Sequence, residues 1–384
     1  MRTIQRWGWA AGLAALTALG LSGCGGNDAL PPKASISKVY VMGDSLADVG
    51  TFGYKFTVQG AQIWPQLIAN LYGLNGSGQC NVYAAASSAE PGQTVASDFS
   101  LNTTPGCTNF AIGASRIAND AYGGSSNPRT LVKQMTDKSS NYASTDLAMI
   151  VAGGNDAADL AGAYIQLATA RTETAQNIAF QKLSFVLSQM GITTNGTDVP
   201  QKGVAYMQAL ADTFATQIQS QMLSKGATHV ALLDIPDITL TPRFTMTLAS
   251  IAQANADAAT QIKQLIQTWV SAYNSQIRQK LGGDTRVVII PFYADFTDEV
   301  ANPGNYRLTD VTTPACPIMG VEPSTGLPTY DFPTCSSTQL DSTPNKTTGW
   351  WKTYAFSDGF HPTPYGHQLL AASVSRALAR AGWL

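Results

Sequence analysis

Charge is scarce in this 384-residue chain. Asp, Glu, Lys and Arg make up 12% of it, against roughly 25% in an average soluble protein. The 23 basic and 25 acidic residues leave a net charge of −2, so no basic face argues for a nucleic-acid partner. Histidine is scarcer still, at three residues: His229, His361 and His367. The five cysteines form no Cys-x-x-Cys pair and have no histidine neighbour, a spacing that argues against a metal site. The apolar run from Ala10 to Leu21 falls short of the roughly 20 residues that a membrane-spanning helix needs. What the chain does have is apolar residues, at 44%. That excludes a disordered composition, and the length is ample for a buried core. Ser, Thr, Asn, Gln and Gly take the place of charge, which suits a protein that is exported.

The N-terminus carries an address. Arg2 and Arg6 precede the Ala10–Leu21 run, and Leu21-Ser22-Gly23-Cys24 follows it. A positive start, a short apolar stretch and small residues make an export signal. The small-small-Cys ending resembles a bacterial lipobox. The resemblance implies a lipoprotein signal peptide over 1–23, cleavage before Cys24, acylation of Cys24, and a membrane partner reached through that lipid. An ordinary secretory signal with an incidental cysteine is the alternative. Residues 24–36 read as a flexible tether, and no Asp follows Cys24, which leaves the outer membrane as the favoured address. The other four cysteines, Cys80, Cys107, Cys316 and Cys335, read as two disulfides outside the cytoplasm. Three pairings are open. The local ones, Cys80–Cys107 and Cys316–Cys335, close the shortest loops and are expected.

Apolar runs punctuate the rest. Lys38–Met42, Asp146–Ala152, His229–Ile235 and Arg286–Pro291 read as buried strands. Long Ala- and Gln-rich stretches separate them: Asp156–Met190, Val204–Lys225 and Ile251–Leu281 are helix candidates, with Gln62–Tyr72 before them and Gly366–Trp383 closing the chain. Residues 73–107 and 302–350 read as loops. Apolar strands without strict alternation, joined by helices, predict a parallel sheet covered on both faces. The expected fold is therefore a three-layer α/β/α sandwich in one domain, 37–384. The stretches after Asp156 and Thr239 are candidates for a cap. Ligands of such sheets bind beyond the strands' carboxyl ends. That rim would carry both Gly43-Asp44-Ser45 and Gly153-Gly154-Asn155-Asp156.

His361 lies in Asp358-Gly359-Phe360-His361-Pro362, on a polar turn before the last helix. On a tight turn this spacing brings the Asp358 carboxylate to the imidazole Nδ1–H, fixing the tautomer and leaving Nε2 for a serine. Ser45 directly follows an apolar strand, where a helix start would favour negative charge near its N–H. His229 reads as a strand-edge residue and His367 as structural.

These segments resemble the conserved blocks of the GDSL (SGNH) hydrolases. Val41-Met42-Gly43-Asp44-Ser45-Leu46-Ala47-Asp48-Val49-Gly50 is similar to the first block, Asn109-Phe110-Ala111-Ile112-Gly113-Ala114 to the second, Gly153-Gly154-Asn155-Asp156 to the third, and Asp358-Gly359-Phe360-His361-Pro362-Thr363 to the last. Ile235-Pro236-Asp237-Ile238 and Asn302-Pro303-Gly304-Asn305-Tyr306 resemble segments of the larger, phospholipase-like branch. Thr51 and Ser357 depart from the usual residues of that pattern. The resemblance implies a flavodoxin-like SGNH fold and an esterase or lipase acting through an acyl-enzyme. Ser45, His361 and Asp358 would form the triad, and Ser45 N–H, Gly113 N–H and the Asn155 amide the oxyanion hole. The substrate would be an ester or lipid, and the chemistry requires no metal and no organic cofactor. A phospholipase or acyltransferase using the same triad is the alternative. A non-catalytic surface lipoprotein predicts a broken triad, and every triad residue type is present. Oligomeric state is not set by the sequence.

Overall fold

The computed structural model describes residues 33–384 apart from 77, 92, 119–123 and 324. The expected signal peptide, Cys24 and most of the expected tether lie outside the described residues. In chain order the elements are β1 (Lys38–Gly43), α1 (Trp64–Leu71), β2 (Tyr83–Ala85), β3 (Phe99–Leu101), α2 (Leu131–Asp137), β4 (Asp146–Val151), α3 (Gly154–Thr169), α4 (Glu173–Ser188), α5 (Val199–Gln221), β5 (Val230–Leu233), α6 (Pro242–Ala254), α7 (Ala256–Leu281), β6 (Val287–Ile290), α8 (Phe292–Ala301), β7 (Ile318–Val321), β8 (Pro328–Tyr330), α9 (Ser337–Asp341) and α10 (Pro364–Arg380).

The central sheet runs β1-β4-β5-β6, and every pairing in it is parallel. Residue period two sends alternate side chains to opposite faces. Val39 and Val41 of β1, with Leu147 and Met149 of β4, pack against Trp64 and Ile68 of α1, Phe296 of α8 and Val374 of α10. Tyr40 and Met42, with Ala148 and Ile150, face α2, α3, α5 and α7 through Met135, Leu160, Phe214 and Trp269. Two apolar faces need two helical layers, which yields the α/β/α sandwich. A third apolar cluster, around Phe56, Phe332 and Trp351, surrounds the Cys316–Cys335 disulfide. The other disulfide is Cys80–Cys107, so both local pairings form.

Residues 108–112 run beside β1 as an irregular edge. Val41 N–H donates to Thr108 O, Phe110 N–H to Val41 O, and Ile112 N–H to Gly43 O. This brings the second motif to the same rim as the first.

Several expectations shift. No helix starts at Ser45: one turn forms, with Ala47 and Asp48 N–H on Asp44 O, and the next helix waits until Trp64. The Asp156–Met190 stretch is two helices, because Ala170 turns to extended backbone and Thr172 caps a new helix by accepting from Ala175 N–H. The loops at 73–107 and 302–350 each hold a small antiparallel hairpin, β2–β3 and β7–β8. The end of the expected tether already belongs to the domain: Ala34 N–H donates to Gly382 O at 2.8 Å, and Ile36 is buried. Of the helices considered for a cap, α4 packs on α3 and α5, whereas α6 reaches the site, with Arg243 N–H donating to Gly359 O at 2.8 Å.

Candidate active site

Three segments converge at the carboxyl ends of β1 and β4. Ser45 stands on the turn that ends β1 and is 6% exposed. The turn is fixed from both sides. Asp44 Oδ1 accepts Leu46 N–H. Gln134 of α2 clamps Gly43, accepting its N–H at 2.8 Å and donating to its carbonyl at 3.0 Å. Burial pushes the Asp44 carboxyl up to about 6, against the pull of the Leu46 N–H and the His361 charge.

His361 and Asp358 share a turn closed by Ser357 N–H on His361 O at 2.7 Å. Asp358 Oδ1 accepts Phe360 N–H at 2.8 Å and His361 N–H at 2.6 Å. The His361 Nδ1 lies 3.0 Å from Oδ1 and 2.9 Å from Oδ2. A carboxylate only accepts, so Nδ1 carries the proton and Nε2 presents its lone pair. That nitrogen is 2.7 Å from Ser45 Oγ, hydrogen-bond distance for proton transfer. Burial raises the Asp358 carboxyl, but the His361 charge, the ring hydrogen bond and the two backbone N–H groups outweigh it and hold the carboxyl below its ordinary value. Phe56, Phe332 and Phe360 surround the imidazole, with ring centroids at 5.3, 5.5 and 5.9 Å. They fix its plane and leave its open edge toward Ser45.

The expected oxyanion donors divide. Asn155 sits in the first turn of α3, next to a left-handed Gly153 (φ 93°). A Cβ at Gly153 would meet Ile235 Cδ1 at 2.6 Å, so only glycine lets the chain turn there. One amide N–H of Asn155 donates to Ser115 O at 2.9 Å, which leaves the second. Ser45 N–H has no acceptor among the described residues. Gly113 departs from expectation: its N–H donates to Asp48 Oδ2 at 2.8 Å and is not free for an oxyanion. The reason lies in Asp48, a carboxylate at 0% exposure that must collect donors. It also accepts from Gly50 N–H, Thr51 N–H and the Asn81 amide. The next residue, Ala114, takes a left-handed φ of 63°, and its N–H has no acceptor among the described residues.

Asp48, Asn81 and Gln134 are the supports that sequence reasoning assigned no role. Asp48 was visible inside the first motif, while Gln134 lies in a helix with nothing to mark it. The other histidines stand apart. His229 precedes β5, edge-on to Trp383. His367 is fully buried in α10, and burial first, then the charges of His361 and Lys55, lower it to about 3.

One hollow is lined by Ser45 itself, and another by Arg243, whose N–H binds the turn of His361. The first, about 50 Å³, lies behind Ser45 and is lined by Leu46, Val151, Pro236 and Phe360 among others. The other, about 670 Å³, opens between α3, α6 and the β7–β8 hairpin.

A parallel α/β sandwich with a serine, a histidine and a carboxylate in hydrogen-bonded series at its carboxyl rim has the layout of a hydrolase that works through a serine. The family model for GDSL-like lipase/acylhydrolase matches residues 39–374, and the chain belongs to that family. It is accordingly a serine hydrolase of the class that acts on esters or lipids. Comparison with curated proteins finds no match.

Proposed function

We propose that the protein hydrolyses carboxylic esters through an acyl-enzyme formed on Ser45. His361 Nε2 takes the Ser45 proton as Oγ bonds to the ester carbonyl carbon. Asp358 stabilises the imidazolium that results. The tetrahedral oxyanion is held by Ser45 N–H, the second Asn155 amide N–H and Ala114 N–H, the last taking the part that Gly113 cannot. His361 then gives its proton to the leaving alkoxide as the C–O bond breaks. A water molecule, deprotonated by His361, attacks the acyl carbon; the bond to Ser45 Oγ breaks, His361 returns the proton to Ser45, and the carboxylic acid leaves.

The observation that carries the reading is the unbroken series Ser45 Oγ–His361 Nε2 at 2.7 Å and His361 Nδ1–Asp358 Oδ2 at 2.9 Å. The burial of the series supports it, with His361 and Asp358 side chains each 13% exposed, because such contacts are stronger away from water. The test is Ser45→Ala. Hydrolysis of p-nitrophenyl butyrate should vanish while thermal unfolding stays unchanged, and a fluorophosphonate should label wild type at Ser45 only. Turnover by Ser45→Ala at the wild-type rate ends the proposal.

For the address, the proposal is a lipid anchor at Cys24, carried by the lipobox-like Leu21-Ser22-Gly23-Cys24. Radiolabelled palmitate should enter wild type and not Cys24→Ser. Equal labelling of both refutes it.

A further inference from the structure

The 670 Å³ cleft has an uneven lining. It holds two cations, Arg171 from the break between α3 and α4 and Arg243 from the first turn of α6, and no carboxylate. Both side chains are exposed. Neither guanidinium is in a salt bridge among the described residues. This is unusual for so weakly charged a chain, with only 23 basic residues in all.

The nearest acids do not neutralise Arg243. Burial disfavours the Arg243 charge first, and Asp159 and Asp358 then attract it, but Asp159 is already held by Arg116 at 2.9 Å and Asp358 by the His361 ring at 2.9 Å. Arg116 repels it. The charge is therefore left over, and its residue adjoins the site: the Arg243 backbone N–H donates to Gly359 O at 2.8 Å, between Asp358 and Phe360, and the Asp358 carboxylate attracts the guanidinium. The rest of the lining is small or neutral, with Thr169, Thr247, Ser250 and Asn255 as polar partners. Two guanidinium groups lining one concave, acid-free wall suit an oxyanion, because each planar donor set matches carboxylate and phosphate oxygens two at a time.

We propose that this cleft binds the anionic end of the substrate, so that the preferred ester carries a phosphate or carboxylate group beyond the scissile bond. This rests on the ester-hydrolase reading above. The cleft would anchor the substrate by its charge while the ester linkage lies over Ser45. Neutral esters would lack that anchor.

The test compares matched esters. Wild type should cleave 1-butyrylglycerol 3-phosphate with a higher kcat/KM than monobutyrin, by about 10- to 100-fold, the usual worth of a charge-assisted hydrogen bond. In Arg171→Gln/Arg243→Gln that ratio should fall at least tenfold, and Arg171→Lys/Arg243→Lys should recover part of it. The palmitoyl pair, run as vesicles, distinguishes a lipid headgroup from a soluble phosphate ester: preference in either pair supports the cleft, and preference in neither overturns it. Calorimetry reads the cleft without turnover. Glycerol 3-phosphate, or glycerate if the oxyanion is a carboxylate, should bind wild type and not the double glutamine variant. Binding of neither, or equal binding to both proteins, overturns the inference. Wild type that cleaves no ester but binds the anion removes the hydrolase reading alone. Wild type that cleaves both esters of each pair equally removes the inference alone.

Discussion

Replacing Asp358 by asparagine tests the site more sharply than deleting it. The two residues have the same shape, so packing is retained. Asp358 Oδ1 is committed to Phe360 N–H at 2.8 Å and His361 N–H at 2.6 Å. In Asp358→Asn the amide oxygen must stay there, because an NH2 in that place would face two donors. The new Nδ2 then occupies the place of Oδ2, 2.9 Å from His361 Nδ1. A donor now faces Nδ1. Oδ1 also lies 3.0 Å from Nδ1 but already takes two backbone N–H groups, so the ring answers by accepting at Nδ1 and carrying its proton on Nε2. The 2.7 Å contact to Ser45 survives with its direction reversed: histidine donates to the serine and cannot take its proton. The imidazolium also loses its counter-charge. A fall in kcat of about 10⁴ is expected, as for the same exchange in other triads, or roughly 5.5 kcal/mol of barrier. The assay is kcat for p-nitrophenyl butyrate beside the rate of fluorophosphonate labelling, with thermal unfolding as the control for fold. Both rates should fall together while unfolding barely moves. Activity within tenfold of wild type, in a folded Asp358→Asn, refutes the tautomer argument and with it the role of Asp358.

Asn155→Ala removes one side-chain donor and should lower kcat by about 10²–10³ with little change in KM; an unchanged kcat removes Asn155 from the oxyanion hole. Asp156 offers a pH test of stability. It is buried against Ile117 N–H, and burial, with Asp159 adding, pushes it up to about 7 despite Arg116. A carboxyl raised in the folded state costs nothing below the unfolded value near 4. Its cost grows as pH rises toward 7 and is complete above that. Asp156→Asn should therefore leave stability at pH 4 nearly unchanged and raise it at pH 8 by about 1–4 kcal/mol. Equal Tm shifts at pH 4 and pH 8 would contradict this.

Much of the fold was legible in local chemistry. The four apolar runs became the four parallel strands within a residue or two, because a strand buried on both faces has no polar alternation to obscure it. The break at 170–172 was not legible, since Ala- and Gln-rich sequence favours helix on both sides of it and the Thr172 cap decides the boundary. The hairpins β2–β3 and β7–β8 were missed because each strand is only three or four residues long, too short for a period-two pattern to stand out. The helix expected at Ser45 did not form because Asp44 turns the chain by taking Leu46 N–H and Asp48 ties it to Asn81 and Gly113.

The sequence alone determined that Asp358 and His361 meet, because they lie three apart on one turn and come together through backbone geometry that neighbours dictate. Among three open pairings it favoured the local cysteine pairs, whose short loops cost least to close, and the fold forms them. Only the tertiary structure decided that Ser45, 316 residues from His361, arrives at its Nε2. It alone redirected the Gly113 N–H to Asp48 and placed Arg171 and Arg243 on one cleft. These outcomes depend on where a buried carboxylate finds its donors and which charges are left unpaired once the layers pack, and neither is a property of any single stretch of chain.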